Sequence, residues 1–515
     1  MKKTSSPSFV EVSEVPVDTR YAYEERSVAS DDAALANLGY KQEFKRDFRP
    51  LEVFGIGFSI MGLLPSIASV LVFAIPNGGP MALVWGWAIC SIFLMSVALA
   101  LAELASSAPT SGGLYYWTYT FAAPRWKRVF SWVAGYSNTM GLVSGLASIE
   151  WGCAVQLMAA VSIGTNERFI PTTGQTLCLA IIIALPAATP PEFKNTASYA
   201  FGGFVNLSGW PNGFAFVLSF LAPLWTIGGF DGPLHISEEA SNARTAVPWA
   251  IVSAVGIAGV LGWVINVVLA FCMGTDMESI LENPIEQPMA TVLFNSLGRN
   301  GTLAVWSIVV FMQFLMGTSI LTAGSRQTFA FARDGALPFS GFLYRMNKRT
   351  QTPANAVWAS AFAAMLLGLL AFGGPTANNA IFSLAIAGQY TAFSLPIVCR
   401  FVGGCAWVPG PFNLGKFGLP VAVVAVAWMG FSVVILAFPN SPGPTANGMN
   451  YMAVVYAGWI ILCLVYYYFP VYGGACWFKG PRVTLDVAKG AGIGLGMDEQ
   501  EVVDRSDNSF EKRKV

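Results

Sequence analysis

The stretch TIGGFDGPLH, Thr226–His235, ends an apolar run that begins at Gly213 and reads GFAFVLSFLAPLW. Three glycines, an aspartate and a proline fall within Gly228–Pro233. Relative to alanine, glycine costs a helix interior about 1 kcal/mol and proline about 3 kcal/mol. The sequence therefore predicts a hydrophobic helix that unwinds here and leaves backbone N–H and C=O groups free beside a carboxylate.

The chain around this stretch is strongly apolar: 54% of its 515 residues are hydrophobic and 11% are charged. The charged share is roughly half that of an ordinary soluble protein, which argues against a soluble enzyme with a large core. Runs of about 20 apolar residues, enough to cross a bilayer as a helix, recur along the chain. We predict an all-α polytopic membrane protein. Its ten full spans are 53–74, 81–104, 130–163, 212–231, 246–273, 302–325, 354–373, 378–401, 418–438 and 449–470.

Several kinds of chemistry are not expected. The formal net charge is zero, so no global field favours a nucleic-acid partner. His235 is the single histidine and the cysteines show no CxxC spacing, so we expect no metal site. The sequence shows no nucleophile–base pair and no phosphate-binding loop, so a membrane-embedded enzyme is disfavoured and no cofactor is expected.

Positively charged residues set the expected orientation. Lys41, Lys45, Arg46 and Arg49 precede the first span, and alternate loops carry most of the remaining basic residues. The first fifteen residues lack an apolar stretch, so the first span is expected to direct insertion itself. We therefore expect a largely disordered cytosolic tail at 1–50, a transmembrane bundle at 51–473 and a cytosolic tail at 474–515.

A second interrupted helix lies in the first span, FGIGFSIMGLLPSIASVLVFA, which contains Gly55, Gly57, Gly62 and Pro65. Free backbone groups are tolerated at membrane depth only where protein or a wet cavity satisfies them. A pair of interrupted helices in corresponding halves of a chain points to a transporter's midplane site. The alternative is that these glycines only allow neighbouring helices to pack closely.

Five further motifs carry a resemblance. They are LGYKQEFKRDF from Leu38, FSIMGLLPS from Phe58, AELASSAPTSGGLYYW from Ala102, FDGPLHISEEASNARTAVPWAI from Phe230 and SRQTFAFARDGALP from Ser325. Together they resemble the fungal amino acid/choline transporter family of the amino acid/polyamine/organocation superfamily, which includes permeases for 4-aminobutyrate, choline and amino acids. The resemblance implies twelve helices. The first ten would form two inverted five-helix repeats, with helices one and six unwound at the substrate.

The resemblance also assigns residues. It places substrate contacts at Ser59, Ile60, Met61, Gly62, Leu63, Thr226, Ile227, Gly228, Gly229, Phe230 and Asp231. It places the loop Pro109–Gly113 near an inner gate. The family more often has small polar residues where this chain has Gly229 and Gly232, so the substrate of any relative does not transfer directly.

Glu150 and Asp231 are the charged candidates within the spans. A carboxylate at the bilayer centre costs roughly 2.5–3.5 kcal/mol on insertion scales, so Glu150 is expected to face the interior. There it would serve as a proton-coupling acid, as a contact for a cationic substrate, or as a neutral structural residue hydrogen-bonded to a neighbouring helix. Asp231 would either hold a substrate ammonium or cap the following helical segment, and the cap is the favoured interpretation.

Four charged residues are assigned to an inner gate: Glu103, Glu238, Arg244 and Arg326. Glu103 and Glu238, with Glu239, are expected to form salt bridges with Arg244 or Arg326. As surface pairs these would contribute under about 1 kcal/mol each. His235 is interpreted as a loop histidine rather than a proton relay.

One apolar run is too short to span. Leu177–Ala188 would be about 18 Å long as a helix, against a hydrocarbon core of about 30 Å. Relatives should have a complete fourth and fifth helix here. We therefore predict that helix four and part of helix five are missing. A transcript should then carry an in-frame insert of roughly 35–50 residues, enough for two spans, at the Thr176–Leu177 junction.

These observations predict a secondary active transporter in the fungal plasma membrane, with both termini cytosolic and the lipid bilayer as its surroundings. It would import a small amino acid, 4-aminobutyrate or a choline-like amine, with protons as the expected coupling ion. Two alternatives stay open. One is a transport-deficient truncated isoform, and the other is a nutrient receptor that binds its substrate without moving it.

Overall fold

The computed structural model describes residues 30–164, 185–285, 287–370, 375–445 and 449–485. Across these ranges the chain is helical, and the β-structure is limited to two isolated bridges. The principal helices are α1 (Pro50–Met61), α2 (Leu63–Ala74), α3 (Trp87–Ser107), α4 (Gly113–Phe121), α5 (Lys127–Gly164), α6 (Ala197–Gly202), α7 (Asn212–Leu218), α8 (Leu221–Thr226), α9 (Gly232–His235), α10 (Ala243–Cys272), α11 (Met277–Leu281), α12 (Pro288–Arg333), α13 (Ser340–Leu343), α14 (Ala354–Gly368), α15 (Pro375–Val402), α16 (Gly418–Ile435), α17 (Met452–Tyr468) and α18 (Gly474–Trp477).

Ten apolar helical segments correspond to the ten predicted spans. Seven are long and apolar enough to cross a membrane: Pro50–Ala74, Gly79–Ser107, Lys127–Ala160, Ala243–Cys272, Pro288–Arg333, Ala380–Val402 and Gly415–Ile435. Three shorter apolar helices are Asn212–Thr226, Ala354–Gly368 and Met452–Tyr468. The prediction of an all-α polytopic membrane protein is confirmed. Of the short run 177–188, only residues 185–188 lie in the described part, and they are helical.

The first span is interrupted at a single residue. α1 ends and α2 begins at Gly62, whose φ of 40° and ψ of 65° are left-handed. An added Cβ at this position would also overlap Met316 Sδ. Glycine is therefore required both by the backbone conformation and by the close neighbour.

The interruption after α8 is longer. Residues 227–231 separate α8 from α9, and Gly229 has a φ of 71°. Pro233 lies at the start of α9, where a missing N–H costs no helical hydrogen bond. Both predicted breaks are thus present, and they differ in length.

α5 and α15 approach each other closely near these breaks. A Cβ added at Gly388 would lie 2.8 Å from the backbone nitrogen of Gly141. The two helices therefore cross backbone to backbone, as small residues allow in membrane bundles. α12 packs along α5 on another side and bends at Gly298, where φ is 64° and ψ is −177°.

The two ends of the described chain form a separate unit from residues 44–481. Within it, the backbone N–H of Lys41 donates to Thr484 Oγ1 at 2.8 Å. The N–H of Thr484 donates to the carbonyl of Gly39 at 2.9 Å. The segments that flank the bundle therefore bind each other. Most of the two predicted tails lies outside the described residues.

Candidate functional site

The two interrupted helices contact each other through their glycines. Added Cβ atoms at Gly229 and Gly232 would both overlap the side chain of Ile60. One at Gly57 would lie 2.7 Å from Pro233 Cγ. Close packing, the alternative role for these glycines, therefore applies to this structure, but it does not account for the backbone groups at the second break.

Those backbone groups are free over several residues. Within the described chain, the N–H groups of Gly229, Phe230 and Asp231 form no hydrogen bond, and the carbonyls of Thr226–Gly228 accept none. Three donors and three acceptors thus lie within six consecutive residues. An unpaired backbone group buried away from water costs as much as a lost hydrogen bond, so this segment is suited to a polar ligand.

A cavity of about 30 Å³ adjoins the second break. It is bounded by the breaks together with α5, α12 and α15. Its lining residues are Ile60, Gly145, Ile149, Trp225, Gly228, Gly229, Met316, Ile320, Ala385, Ile386 and Gln389. Of the predicted substrate contacts, only Ile60, Gly228 and Gly229 line it. The wall is largely aliphatic, and Gln389 is its polar side chain.

Sequence reasoning missed the cavity residues on α5, α12 and α15. Their signal was helical spacing: Gly145 with Ile149, Met316 with Ile320, and Ala385 with Gln389 are each four residues apart. Such pairs share one helix face. Every apolar helix offers several faces of this kind, so the sequence did not show which of them meet.

Other predicted contacts lie beside the cavity and not in its wall. Ser59 Oγ accepts a hydrogen bond from Ser319 Oγ at 2.9 Å, which joins α1 to α12. Thr226 Oγ1 donates to the carbonyl of Ala222 at 2.8 Å. The ring of Phe230 packs against Phe393. Met61 and Leu63 are buried and flank Gly62. Any role for these residues in binding remains a prediction.

The predicted cap at Asp231 is wrong. Asp231 occupies the residue before α9, yet its side chain makes no capping hydrogen bond. Its carboxylate instead lies 3.1 Å from His235 Nε2, one helical turn along, and both side chains are fully buried. His235 is therefore a buried helical residue and not a loop histidine. The two side chains find each other because residues four apart share a helix face.

Three buried or nearly buried ion pairs involve the other charged candidates. Arg333 binds Glu238 with both side chains fully buried, at 2.9 and 3.0 Å. Arg326 binds Glu239 at 2.7 Å, and Arg400 binds Glu103 at 2.6 Å. We call these three pairs the ion-pair cluster.

The partners in this cluster correct part of the prediction. Arg326 pairs with Glu239 as predicted, whereas Glu103 and Glu238 take Arg400 and Arg333. The guanidinium of Arg244 donates to the carbonyl of Ser106 at 3.3 Å. Arg244 follows Glu238 closely in sequence, but α10 carries it toward the end of α3, away from the carboxylate.

Glu238 is also held by the predicted gate loop. Thr110 Oγ1 and the backbone N–H of Ser111 each donate to Glu238 Oε1 at 3.0 Å. Burial acts to raise the pKa of Glu238, but the charge and hydrogen bonds of Arg333 and the loop outweigh it and leave the pKa below its ordinary value. The carboxylate therefore stays ionised and keeps the loop attached.

Glu150 does not face the interior, contrary to expectation. Its side chain is exposed on the outer face of α5, with Ala154, Leu157 and Met158 further along the same face. The preceding residue, Ile149, is the one that lines the cavity. On the adjacent helix α12, Phe311 and Phe314 are each 60% exposed. An outward carboxylate at this depth is costly, which indicates that something should cover this surface.

The chain is similar in sequence to known membrane permeases. The family model described as amino acid permease matches residues 48–186 and 172–461. The GABA-specific permease of Saccharomyces cerevisiae is 39% identical, over 88% of this chain and 86% of its own. Amino-acid permease 2 of Neurospora crassa is 35% identical, over 86% of this chain and 88% of its own. A manganese transporter mutant from Eremococcus coleocola is similar in structure, with a TM-score of 0.45 and 13% identity over 81% of this chain and 93% of its own.

The same alignments contain positions that have no counterpart in this chain. The alignment with the yeast permease has 497 positions but covers 88% of 515 residues, about 453, which leaves about 44 positions without a counterpart. For the Neurospora permease, 478 positions cover 86%, about 443, and leave about 35. The family model matches in two pieces that overlap at residues 172–186. The absence of helix four and part of helix five stays a prediction. The relatives of this chain are permeases and not enzymes. The chain belongs to the amino acid permease family.

Proposed function

We propose that the chain imports a small zwitterionic amino acid by secondary active transport, with 4-aminobutyrate as the first substrate to test. The observation that carries this proposal is the run of free backbone groups at 226–231 beside the cavity. Family membership supports a transporter of amino acids. The yeast relative that is specific for GABA supports the choice of first substrate.

The chemistry of the break fits a zwitterion. Three adjacent N–H donors, at Gly229, Phe230 and Asp231, suit a carboxylate, which can accept from several donors at once. The free carbonyls of Thr226–Gly228 suit an ammonium group. The aliphatic side chains of Ile149 and Ile320 would contact the methylene groups between these two charges.

The same geometry makes a choline-like cation the weaker candidate. The carboxylate of Asp231 is turned toward His235, and the cavity lining contains no acidic side chain. Quaternary ammonium groups are typically held by several aromatic faces, and Trp225 is the one aromatic residue in this lining. We therefore rank neutral zwitterions above choline.

A second candidate function follows from the gap. About 35–44 alignment positions have no counterpart here, and Glu150 is exposed where additional helices would be expected. These observations favour the alternative that the chain is a transport-deficient short form. A chain that binds its substrate without moving it would fit the receptor alternative. For the transporter we propose a fungal plasma-membrane location with both termini cytosolic.

Uptake by the purified 515-residue chain in proteoliposomes tests these candidates. The panel is labelled 4-aminobutyrate, neutral α-amino acids and choline, with a proton gradient imposed. Saturable uptake of a zwitterion supports the proposal, and uptake of choline alone contradicts the ranking. Saturable binding without uptake supports the receptor or the transport-deficient form. Proteoliposomes loaded with Gly229→Leu protein provide the background.

A further inference from the structure

A buried acid–imidazole pair joins three parts of the molecule. Asp231 and His235 are fully buried, and Asp231 Oδ2 lies 3.1 Å from His235 Nε2. Asn138 on α5 places its Nδ2 atom 3.2 Å from the same nitrogen. The other ring nitrogen, Nδ1, lies 3.1 Å from the carbonyl oxygen of Ser111 in the gate loop.

These contacts fix a hydrogen on Nδ1 of His235 and allow Nε2 to be either protonated or unprotonated. The carbonyl of Ser111 can only accept, so Nδ1 of His235 carries a hydrogen. If the imidazole is neutral, its Nε2 lone pair accepts from Asn138 but faces an ionised carboxylate. If one more proton is bound, an N–H···O or N···H–O bond joins Nε2 to Asp231 Oδ2. A single proton therefore decides whether Asp231 and His235 attract or repel.

The surrounding polar groups can accommodate both states. Asp231 Oδ1 and Asn138 Oδ1 are buried and form no hydrogen bond within the described residues. Rotation of the Asn138 amide would present its oxygen in place of its nitrogen to a protonated Nε2. The pair thus has acceptors ready for a second N–H, which a purely structural contact would not need.

The pair also links the cavity to the ion-pair cluster. The backbone N–H of Asp231 is one of the three free donors at the break. On the other side, the N–H of Ser111 donates to Glu238 Oε1, and Glu238 binds Arg333. A change in the Asp231–His235 contact would therefore reach both the substrate groups and the loop.

Neighbouring charges are already compensated and leave this pair as the proton-binding group. On the elements packed against α9, these charged groups have identified partners: Glu52 with the N–H of Arg49, Glu238 with Arg333, Glu239 with Arg326, Asp334 with Tyr115, and Arg244 with the carbonyl of Ser106. α12 also carries Arg299, next to its bend at Gly298. On α5, no charged residue lies between Arg128 and Glu150.

We propose that Asp231 and His235 bind the proton that is transported together with the amino acid. The proton arrives from the outer solution, is shared between Nε2 and Oδ2 while the site is closed, and leaves to the cytosol when the gate loop separates from His235. Only N–H or O–H bonds form and break. This inference rests on the proposed function, and it replaces Glu150, on the outer face of α5, as the coupling group.

The single histidine allows a direct test on the wild-type chain. Protein labelled with ¹⁵N-histidine and held in nanodiscs gives ring-nitrogen signals from His235 alone. We expect these signals to show a change of ring protonation when the pH is varied, and the midpoint of that change to move when 4-aminobutyrate is added. In Asp231→Asn the midpoint should move as well. Signals of one unchanged neutral tautomer at every pH, with and without 4-aminobutyrate, would overturn the proposal.

Proteoliposomes test coupling. With one proton per substrate, a gradient of one pH unit can drive accumulation up to about tenfold, since one pH unit is worth 1.36 kcal/mol. His235→Gln should reduce accumulation to about onefold while it still exchanges internal for external substrate. The matched control is Thr139→Val, which removes a polar contact to Gln327 one residue from Asn138 and should keep the accumulation.

The remaining outcomes distinguish His235 from Glu150 as the residue that binds the transported proton. Loss of accumulation in Glu150→Gln with full accumulation in His235→Gln would return the role to Glu150 and overturn the proposal. If His235→Gln loses exchange as well, the wild-type ring-nitrogen titration decides, because it needs no variant. If the wild type moves no amino acid under any gradient, the proposed function fails, whereas titration of His235 still establishes the proton site.

Discussion

The two interrupted helices differ in how their backbone groups are satisfied. At the first break, the N–H of Gly62 donates to Phe58 at 3.2 Å and the N–H of Ser66 donates to Gly62 at 2.9 Å. Ser66 Oγ bonds the carbonyl of Met61 at 2.6 Å. At the second break, three N–H groups and three carbonyls remain free within the described residues. The first break also leaves the N–H groups of Leu63 and Leu64 and the carbonyls of Ser59 and Ile60 without a hydrogen bond within the described residues, but it consists of a single left-handed residue. We call the first break, where Ser66 bonds Met61, the closed break, and the longer second break the open break.

The comparison shows that helix breakers alone do not identify a binding segment. Gly55, Gly57, Gly62 and Pro65 make the first span look as disrupted as the second in sequence. In the structure a Cβ at Gly55 would meet nothing within 4 Å, whereas one at Gly57 would meet Pro233. Only Gly62 of these leaves the helical conformation. Recognition is assigned to the break whose backbone lines the cavity at Gly228 and Gly229.

The largest effect is expected at the open break. Gly229→Leu should abolish binding of 4-aminobutyrate, because Gly229 has a φ of 71° and an added Cβ would overlap Ile60. A non-glycine residue in this conformation costs roughly 1–2 kcal/mol before any clash is counted. Membrane insertion should be unaffected. Binding and insertion are measured by scintillation proximity and by protease protection.

Gly213→Leu is the matched control, since a Cβ at Gly213 meets nothing within 4 Å. It should bind as the wild type does. Wild-type affinity in Gly229→Leu would mean that the glycines of the second break serve packing alone, and the distinction between the two breaks would be lost.

A smaller effect on binding is expected when Gln389, the polar side chain of the cavity lining, is replaced. Gln389 Oε1 lies 3.7 Å from the position of a Cβ at Gly228, so the amide reaches the open break. Gln389→Leu should weaken 4-aminobutyrate binding about tenfold, which is 1.4 kcal/mol and close to the usual contribution of one hydrogen bond. Gln327→Leu, outside the cavity, serves as the control. Equal losses in both variants would point to a general packing defect.

The closed break should respond mainly in stability. Gly62→Ala places a side chain at a left-handed residue and against Met316, so we expect a loss of roughly 1–3 kcal/mol in stability. The affinity should stay within about threefold, since Gly62 does not line the cavity. Thermal unfolding and equilibrium binding on the same preparation separate the two quantities.

Gly55→Ala on the same helix should leave both quantities unchanged, because the added Cβ meets no atom. The comparison between the breaks would be reversed if Gly62→Ala bound 4-aminobutyrate as poorly as Gly229→Leu while it unfolded at the wild-type temperature.

The smallest effect at the open break is expected from the missing segment. Sequencing the transcript across the Thr176–Leu177 junction should reveal an in-frame insert of roughly 35–50 residues, the length of two spans. The longer chain should bury Glu150 and gain transport, while its affinity at the cavity changes little. A transcript without the insert, together with robust saturable uptake by the 515-residue chain, would contradict this prediction.

The sequence predicted the spans and both breaks because hydropathy and backbone conformation are local properties. The ion-pair partners were harder to predict from the sequence because they are distant along the chain. Arg333 and Arg400 pair with Glu238 and Glu103 across 95 and 297 residues. The Asp231–His235 contact had a local signal, the spacing of four residues across the start of α9. It was missed because a lone histidine after Gly-Pro was interpreted as part of a loop.

The backbone contact between Gly141 and Gly388 gives the cavity one stiff wall. Near Gly141 and Gly388 the backbones of α5 and α15 are in direct contact, with the Gln389 side chain beside them, so neither helix can shift without a gap opening. The opposite wall consists of two broken helices that can bend at Gly62 and Gly229. The cavity therefore has one rigid wall and one wall that can bend. Substitutions on the rigid wall, such as Gln389→Leu, should change affinity without changing how fast the site opens and closes.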